Sequence, residues 1–418
     1  MRRILFCTVG GSYQPILTAV RQLSPDYVYF VCSRDQEGSI SSEGMIIGKG
    51  KVIKAHPKDE KPTLLNIPTQ LDMAQDAFEV VYVDPDNIDN VTITVDQRIK
   101  QEKAAADETF IYADYTGGTK SMSVGLVLAA LENNANLHLI KGQRCDLQQV
   151  SNGTEWGFPA SVEEVQFGRE LKNKLSAWGE FAYAQAAKGL MSMQQPRNSE
   201  LHQQLLRAQN LSRAFDAWDR FDHELAYKLL SAYRKEIGRV YPEYLLALDL
   251  LRSDKPASEP AKIYDLWLNA QRRAHQGRYD DAVARVYRIM EWTAQWVLRK
   301  DFDVQTSDLP EDFIPQDVKI YRNRQGKLQA PLFQTWQLVE HKCQGPLGEF
   351  IRQNRDDLLS PLDVRNSSIL AHGFQPIDSQ GWKKVHDWFE SNMLQPFLQE
   401  AKGTGLKKPL QQLPREYI

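Results

Sequence analysis

The sequence has few cysteines, and none of them lies in a metal-binding pattern. Its four cysteines include no C-x-x-C pair and have no histidine nearby at the spacing of zinc ligands; they are Cys7, Cys32, Cys145 and Cys343. This scatter argues against a disulfide framework and a zinc site, because both need cysteines at close, regular spacings. We therefore expect a protein without a metal, folded in a reducing cytoplasm.

The sequence also lacks long apolar runs and an excess of charge of one sign. No stretch approaches the roughly 20 apolar residues that cross a bilayer, so we expect no membrane contact. Polar residues and glycines interrupt the apolar run near the N-terminus, which we interpret as a β-strand and not as a signal peptide. The 51 lysines and arginines nearly balance 54 aspartates and glutamates, for a formal charge of -3. Any nucleic acid must therefore be bound by local patches.

The 418 residues are more than one hydrophobic core usually supports, so we expect several domains. Residues 2–142 alternate β-branched and aromatic runs with helical patterns, which predicts a Rossmann-like α/β domain with a mostly parallel sheet over residues 1–167. The composition then becomes all-helical, with a connector over 168–257, a candidate linker at 252–262 and a last helical domain over 258–418. The predicted strands are 3–9, 27–32, 78–83, 109–115 and 136–141, and the predicted helices between them are 15–23, 69–77, 97–105 and 121–133.

Two glycine-containing loops follow predicted strands of the first domain. Residues 10–15 read GGSYQP, and residues 114–121 read DYTGGTKS; each loop precedes a predicted helix. Glycines let backbone N–H groups approach a ligand, and a helix N-terminus favours negative charge. Both loops leave the carboxyl ends of strands, where open α/β sheets bind ligands. The alternative is two ordinary turns with helix caps. Neither loop is a Walker or dinucleotide motif, which disfavours an NTPase.

The two loops together resemble the CARF domain of CRISPR-associated proteins, with VGGSYQPI as the first motif and DYTGGTKSM as the second. The resemblance implies a homodimer in which two such domains face each other across a two-fold axis and share one cyclic oligoadenylate. By position, it implies ligand contacts from both loops. These residues are Gly10, Gly11, Ser12 and Gln14 in the first loop, and Thr116, Gly117, Gly118, Thr119, Lys120 and Ser121 in the second.

Near the C-terminus, an arginine and a histidine lie at a spacing that suits one helix. If residues 363–372 are helical, the seven-residue interval puts Arg365 and His372 on one face, and Gly373 fits a helix C-cap. A guanidinium can hold phosphate oxygens in bidentate fashion, and an imidazole exchanges protons near neutral pH. The spacing alone also fits a surface arginine and a histidine that complements the helix dipole.

Arg365 and Asn366 followed by His372 resemble the R-x4-6-H motif of HEPN ribonucleases. With the N-terminal loops, the order of motifs resembles the Csm6/Csx1-like ribonucleases of type III CRISPR systems. The resemblance implies metal-independent cleavage of single-stranded RNA, in which the 2′-hydroxyl attacks its own phosphodiester, at a site completed by dimerisation. We assign proton transfer to His372, stabilisation of phosphate charge to Arg365, and orientation of the substrate or of His372 to Asn366.

The leading hypothesis is a cytoplasmic endoribonuclease of antiviral defence that needs no cofactor and is activated by cyclic oligoadenylate, with tetra-adenylate favoured over hexa-adenylate. One alternative is a non-catalytic sensor whose helical region binds a partner. Another is a sensor domain that also degrades its activator, with Ser12, Thr116 and Lys120 positioning a 2′-hydroxyl. The arginines between positions 272 and 288 are either a solvated face or a patch for the substrate. The segment 277–290 resembles one helical repeat, without a second copy at a fixed period.

Overall fold

The computed structural model describes residues 2–34, 41–47, 52–54, 63–105, 108–142, 156–160, 162–355 and 374–418. The chain divides into two compact units, Met1–Gln166 and Phe167–Ile418. The first is a mostly parallel sheet with helices on both faces, and the second is helical, which confirms the predicted fold class. Among the described residues, no helix is both long enough and apolar enough to span a bilayer.

The first unit contains a six-stranded sheet and a separate pair of short strands. The strands are β1 (Arg2–Thr8), β2 (Tyr27–Ser33), β3 (Val52–Lys54), β4 (Thr63–Leu65), β5 (Phe78–Val83), β6 (Thr109–Asp114), β7 (Asn136–Lys141) and β8 (Trp156–Pro159). The six-stranded sheet has the order β5-β2-β1-β6-β7-β8, and only its edge pair β7 and β8 is antiparallel. Strands β1 and β2 are apolar over most of their length because both faces of the sheet are covered.

Helices cover the two faces of this sheet through separate hydrophobic cores. They are α1 (Gln14–Leu23), α2 (Ile67–Gln70), α3 (Ile88–Ala105) and α4 (Lys120–Glu132). Ile16 and Leu17 of α1 pack with one face of the sheet. Val91 of α3 and Leu126 of α4 pack with the other face. The sequence-based helix at 69–77 is wrong: α2 ends at Gln70, Asp72 has a φ of 51°, and only a 3-10 turn follows at Gln75–Ala77.

The second unit is built of helices around one core. They are α5 (Glu163–Leu175, which begins in the first unit), α6 (Tyr183–Met191), α7 (Ser199–Asp219), α8 (His223–Ser231), α9 (Arg234–Val240), α10 (Pro242–Leu251), α11 (Ser258–His275), α12 (Tyr279–Phe302), α13 (Leu332–Lys342), α14 (Pro346–Asn354), α15 (Ser379–Trp388) and α16 (Leu394–Lys402). A π-helical turn, Phe389–Met393, joins the last two. Trp178, Trp218 and Trp336 belong to the same core, so the connector range and the last helices pack together. Within 252–262, helix α11 already begins at Ser258.

Three helix–helix turns of this unit have the same backbone conformation. Each contains one residue with a left-handed backbone: Phe181 (φ 51°), Phe221 (φ 63°) or Gly277 (φ 72°). The N–H of the residue that follows donates to the carbonyl five positions back, at 2.9 Å in all three turns. The helix after each turn buries an alanine completely at an equivalent position; these are Ala186, Ala226 and Ala282. The helical unit therefore contains three related hairpins.

Candidate functional site

The two predicted loops lie side by side at the carboxyl edge of the first unit's sheet. Strand β1 leads into residues 9–13 and α1, and strand β6 leads into residues 115–119 and α4. Strands β1 and β6 are parallel neighbours, with Cys7 opposite Asp114 in the register. The connection from β1 runs to one side of the sheet and the connection from β6 to the other, so α1 and α4 cover opposite faces. Such a reversal of strand order opens the crevice in which doubly wound sheets bind ligands.

The loops are packed so closely that side chains do not fit at three glycines. A Cβ atom on Gly117 would lie 2.4 Å from the carbonyl oxygen of Thr8, and one on Gly10 would lie 2.7 Å from the amide nitrogen of Gly118. Gly118 has a φ of 75°, which also favours glycine. The Thr8 hydroxyl donates to the Gly117 carbonyl at 2.7 Å. Backbone groups of both loops therefore form one surface at the sheet edge.

A buried aspartate–histidine pair holds the second loop at its base. Asp114 Oδ2 lies 2.6 Å from His138 Nδ1, and the two residues are 1% and 5% exposed. Asp114 Oδ1 accepts a hydrogen bond from the Thr116 N–H at 3.0 Å. The Thr116 hydroxyl in turn accepts one from the Ile140 N–H at 2.8 Å. Burial, followed by the charge of Asp114, raises the pKa of Cys7 well above its usual value, so this thiol stays protonated.

Three other polar side chains of the loops differ in whether their hydrogen-bonding groups are already used within the fold. The Thr119 hydroxyl caps α4 by accepting from the Met122 N–H at 3.2 Å, and it donates to the Pro85 carbonyl. Its bonds are therefore used within the fold. The side chains of Ser12 and Lys120 are exposed, and neither makes a hydrogen bond to another described residue. A hydroxyl and an ammonium group are thus available at the N-terminal ends of the two helices, where the helix dipoles favour an anion.

The predicted nuclease residues Arg365, Asn366 and His372 lie outside the described residues, which stop at 355 and resume at 374. Helix α14 precedes this interval and α15 follows it. The backbone N–H of Ile377 donates to Asp280 Oδ2 at 3.0 Å, so the chain after the interval is attached to the start of α12. In the part of the chain that is described, no cluster of three or more His, Cys, Asp or Glu side chains could hold a metal ion.

Comparison with known proteins finds a family match in the second unit and a similar fold over both units. Residues 253–395 match the family model of the Csm6 HEPN domain, and this range contains Arg365, Asn366 and His372. No curated protein matches the chain. In structure, the chain is similar to Enterococcus italicus Csm6 bound to cyclic hexa-2′-fluoro-hexa-dAMP, with a TM-score of 0.52, 12% identity and coverage of 96% of this chain and 95% of that one.

A second solved structure is Can2 from Sulfobacillus thermosulfidooxidans in complex with cyclic tetra-adenylate. Its TM-score is 0.25 at 16% identity, over 56% of this chain and 68% of that chain. The match to Enterococcus italicus Csm6 extends over both units, and the family-model match falls in the second unit. Residues 253–395 therefore match the Csm6 HEPN domain, and the chain shares the fold of Enterococcus italicus Csm6, which confirms the family resemblance at this level.

Proposed function

We propose that this protein is an endoribonuclease that cuts single-stranded RNA when a cyclic oligoadenylate binds its N-terminal unit. The observation that carries the proposal is the position of Arg365, Asn366 and His372 inside the range that matches the Csm6 HEPN domain. The paired glycine loops support the sensing half, because their closely packed backbones and the exposed Ser12 and Lys120 lie at the edge where doubly wound sheets bind ligands.

In the proposed reaction, the 2′-hydroxyl of the RNA attacks the adjacent phosphorus while the bond to the 5′-oxygen breaks. The products are a 2′,3′-cyclic phosphate and a 5′-hydroxyl, and the proton lost by the nucleophile is balanced by the proton gained by the leaving oxygen. His372 transfers a proton, Arg365 stabilises the charge on the phosphate oxygens, and Asn366 orients the substrate or the imidazole. The nucleophile belongs to the substrate itself, so this mechanism requires no metal-bound water.

In the proposed activation, two N-terminal units face each other in a homodimer and share one ring. Each unit would supply the same donors from its loops, which matches the symmetry of a cyclic oligonucleotide. Gly10, Gly11, Gly117 and Gly118 would contribute backbone N–H groups, and Lys120 a positive charge. The side chain of Thr119 is engaged in the α4 cap, so its contribution would come through its backbone. Tetra-adenylate stays the predicted activator, and a direct comparison with hexa-adenylate tests this prediction.

The decisive experiment is cleavage of a labelled single-stranded RNA with cyclic tri-, tetra- or hexa-adenylate, in the presence and absence of a metal chelator. We expect one ring to activate cutting, chelator to have no effect, and mass spectrometry to find 2′,3′-cyclic phosphate ends. The variant His372→Ala should bind the ring normally and cut nothing. His341→Ala is the matched control, because this histidine of α13 pairs with Asp317 at 3.0 Å and has no proposed role.

RNA that stays intact with every ring and wild-type protein would overturn the nuclease proposal. Tight ring binding without any cutting would instead support the alternative, a sensor that acts through a partner. Lys120→Ala tests the sensing half separately. Because two protomers share one ring, the substitution removes two charge-assisted contacts of about 1.5–3 kcal/mol each, which should weaken ring binding by more than about 100-fold. Cutting at saturating ring should return to the wild-type rate.

A further inference from the structure

A cavity of about 650 Å³ lies in the helical unit where the three related turns come together. Phe181 and Ala182 line it from the first turn, Arg220 and Phe221 from the second, and Arg278 from the third. Its volume is in the range of small-molecule sites. None of the residues that line it belongs to the sheet-edge loops or to the Arg365–His372 motif.

Arginines outnumber carboxylates around this cavity. Its lining contains Arg220, Arg273, Arg278 and Arg285 against Asp216, Asp219 and Asp281. Behind the lining, Arg272 is fully buried and its Nε atom lies 2.7 Å from Asp219 Oδ1. The Asp265 carboxylate lies 3.8 Å from Arg272 and accepts a hydrogen bond from the Trp218 indole N–H. It also lies 3.1 Å from His223 Nε2. Even with Asp265 included, five guanidinium groups face four carboxylates, so the site has a net positive charge.

The ion pairs show which arginine lacks a carboxylate of its own. Arg220 pairs with Asp216 at 3.0 Å, Arg278 pairs with Asp281 at 2.7 Å, and Arg272 and Arg273 share Asp219. Arg285 donates to the Asn269 side chain and to the Asp281 backbone carbonyl, and its nearest carboxylate oxygen, on Asp281, is 3.7 Å away. Burial, together with the positive charges of Arg273 and Arg278, lowers the pKa of Arg285 below its usual value.

Unused donors lie in the lining of the cavity and directly behind it. Arg273 Nε and Arg272 Nη2 are buried and have no hydrogen-bond partner among the described residues. Helix α6 starts at the cavity with its first-turn residues, 183–185, in the lining. This helix has no side-chain cap and no acidic residue in its first turn, so its free N–H groups and the positive end of its dipole are not compensated. The guanidinium of Arg273 and the first N–H groups of α6 belong to the lining, and an anion in the cavity would accept hydrogen bonds from them.

We propose that this cavity binds the phosphate group of a nucleotide, either a free mononucleotide or one residue of single-stranded RNA. Guanidinium forks match phosphate oxygens in bidentate fashion, and a helix N-terminus adds backbone donors. The half-buried ring of Phe221, at the cavity wall, offers a face on which a base can stack. The site goes beyond the proposed function, because a chain that cut no RNA could still possess it.

The test compares binding to two cavity variants with binding to a neighbouring control. Arg285→Gln removes the guanidinium group that lacks a close carboxylate partner of its own. Arg278→Gln removes a guanidinium group that is more exposed to solvent. Arg288→Gln is the control, since Arg288 lies one turn further along α12, pairs with Glu291 at 2.7 Å and does not line the cavity. All substitutions are made in the full-length His372→Ala chain so that RNA is not consumed.

The probes are inorganic phosphate, AMP and a short fluorescein-labelled single-stranded RNA. Calorimetry measures the first two, and fluorescence anisotropy at several salt concentrations measures the third. Loss of one charge-assisted contact should weaken binding at least tenfold. For RNA, it should also reduce the slope of log affinity against log salt by about 0.7. The Arg288→Gln variant should match its parent in every measurement.

The outcomes separate the two sources of phosphate. Weaker AMP binding in both cavity variants assigns the site to a free nucleotide, and an effect confined to RNA assigns it to the RNA backbone. The proposal is overturned if both cavity variants bind all three probes as their parent does, or if Arg288→Gln weakens binding equally. If Arg285→Gln lowers the unfolding temperature, the binding measurements are made with Arg285→Lys and Arg278→Gln. The first variant keeps the positive charge, and the second changes a surface-accessible group. These readouts measure binding alone, so they stay informative whether or not the chain cuts RNA.

Discussion

Replacing Gly117 with alanine is expected to disrupt the ligand surface at the sheet edge. The added Cβ would lie 2.4 Å from the Thr8 carbonyl oxygen, about 1 Å short of ordinary van der Waals contact. The loop cannot yield freely, because the Gly117 carbonyl accepts hydrogen bonds from Thr8 at 2.7 Å and from Ser123 at 2.9 Å. Overpacking of this kind costs about 1–3 kcal/mol, and each weakened hydrogen bond contributes about 1 kcal/mol. We therefore expect a loss of about 3–5 kcal/mol in the stability of the first unit.

Hydrogen exchange is the appropriate assay, because a chain of two units need not unfold in one step. Peptides from β1, β6 and the start of α4 should lose protection in Gly117→Ala, whereas peptides from the helical unit should not. Gly11→Ala is the matched control for stability, since nothing lies within 4 Å of the position that its Cβ would occupy. Unchanged protection of β1 and β6 in Gly117→Ala would refute the close packing of the two loops. Weaker binding of the activating ring by Gly117→Ala should accompany the loss of protection.

The remaining predictions concern burial and the C-terminal segment. His138→Ala leaves the buried Asp114 carboxylate without its partner, so protection of β7 should fall by about 1.5–3 kcal/mol and ring affinity with it, as hydrogen exchange and calorimetry would measure. Deleting residues 412–418 removes carbonyl acceptors for three tyrosine hydroxyls, and circular dichroism should record a lower midpoint of thermal unfolding. Burial raises the pKa of Cys32 and of Cys343 from 9.0 to about 12, so both thiols should resist a disulfide reagent at pH 8 until the chain unfolds. Unfolded thiols ionise near pH 9 and these buried thiols only near pH 12. Their contribution to the free energy of unfolding is therefore fully present below pH 9 and is lost as the pH rises towards 12, which urea unfolding across that range would reveal.

The sheet could be predicted from the sequence because its strands are short, β-branched and buried on both faces. The five predicted strands agree with β1, β2, β5, β6 and β7 to within a residue at each end. Helix α3 was harder to predict, since it begins at Ile88 and its first half is rich in valine, threonine and isoleucine, residues typical of strands. Its buried positions, Val91, Val95 and Ile99, are four residues apart, and packing on the sheet overrides the local preference.

The candidate ligand site is only partly encoded in local patterns. The position of both loops at one edge follows from parallel strands alone, so it could be predicted without coordinates. The pairing of Asp114 with His138 could not, because these residues are 24 positions apart and meet only through the register of β6 with β7. That register also brings the Ile140 N–H to the Thr116 hydroxyl. The second loop is therefore shaped by a neighbouring strand that its own motif does not contain.

The three related hairpins explain why the arginines of 272–288 cannot be interpreted as one surface. Their turns lie at positions 181, 221 and 277, with intervals of 40 and 56 residues, because α9 and α10 lie between the second and third hairpins. A search at a fixed period cannot find them, and two of the three left-handed positions hold phenylalanine where glycine is expected. In the pair formed by α11 and α12, Arg272 lies in the core, Arg285 lines the cavity and Arg288 lies at the surface. Residues that look equivalent on helical spacing thus have three different environments. Only the convergence of the hairpins at the cavity makes Arg285 a candidate for binding phosphate.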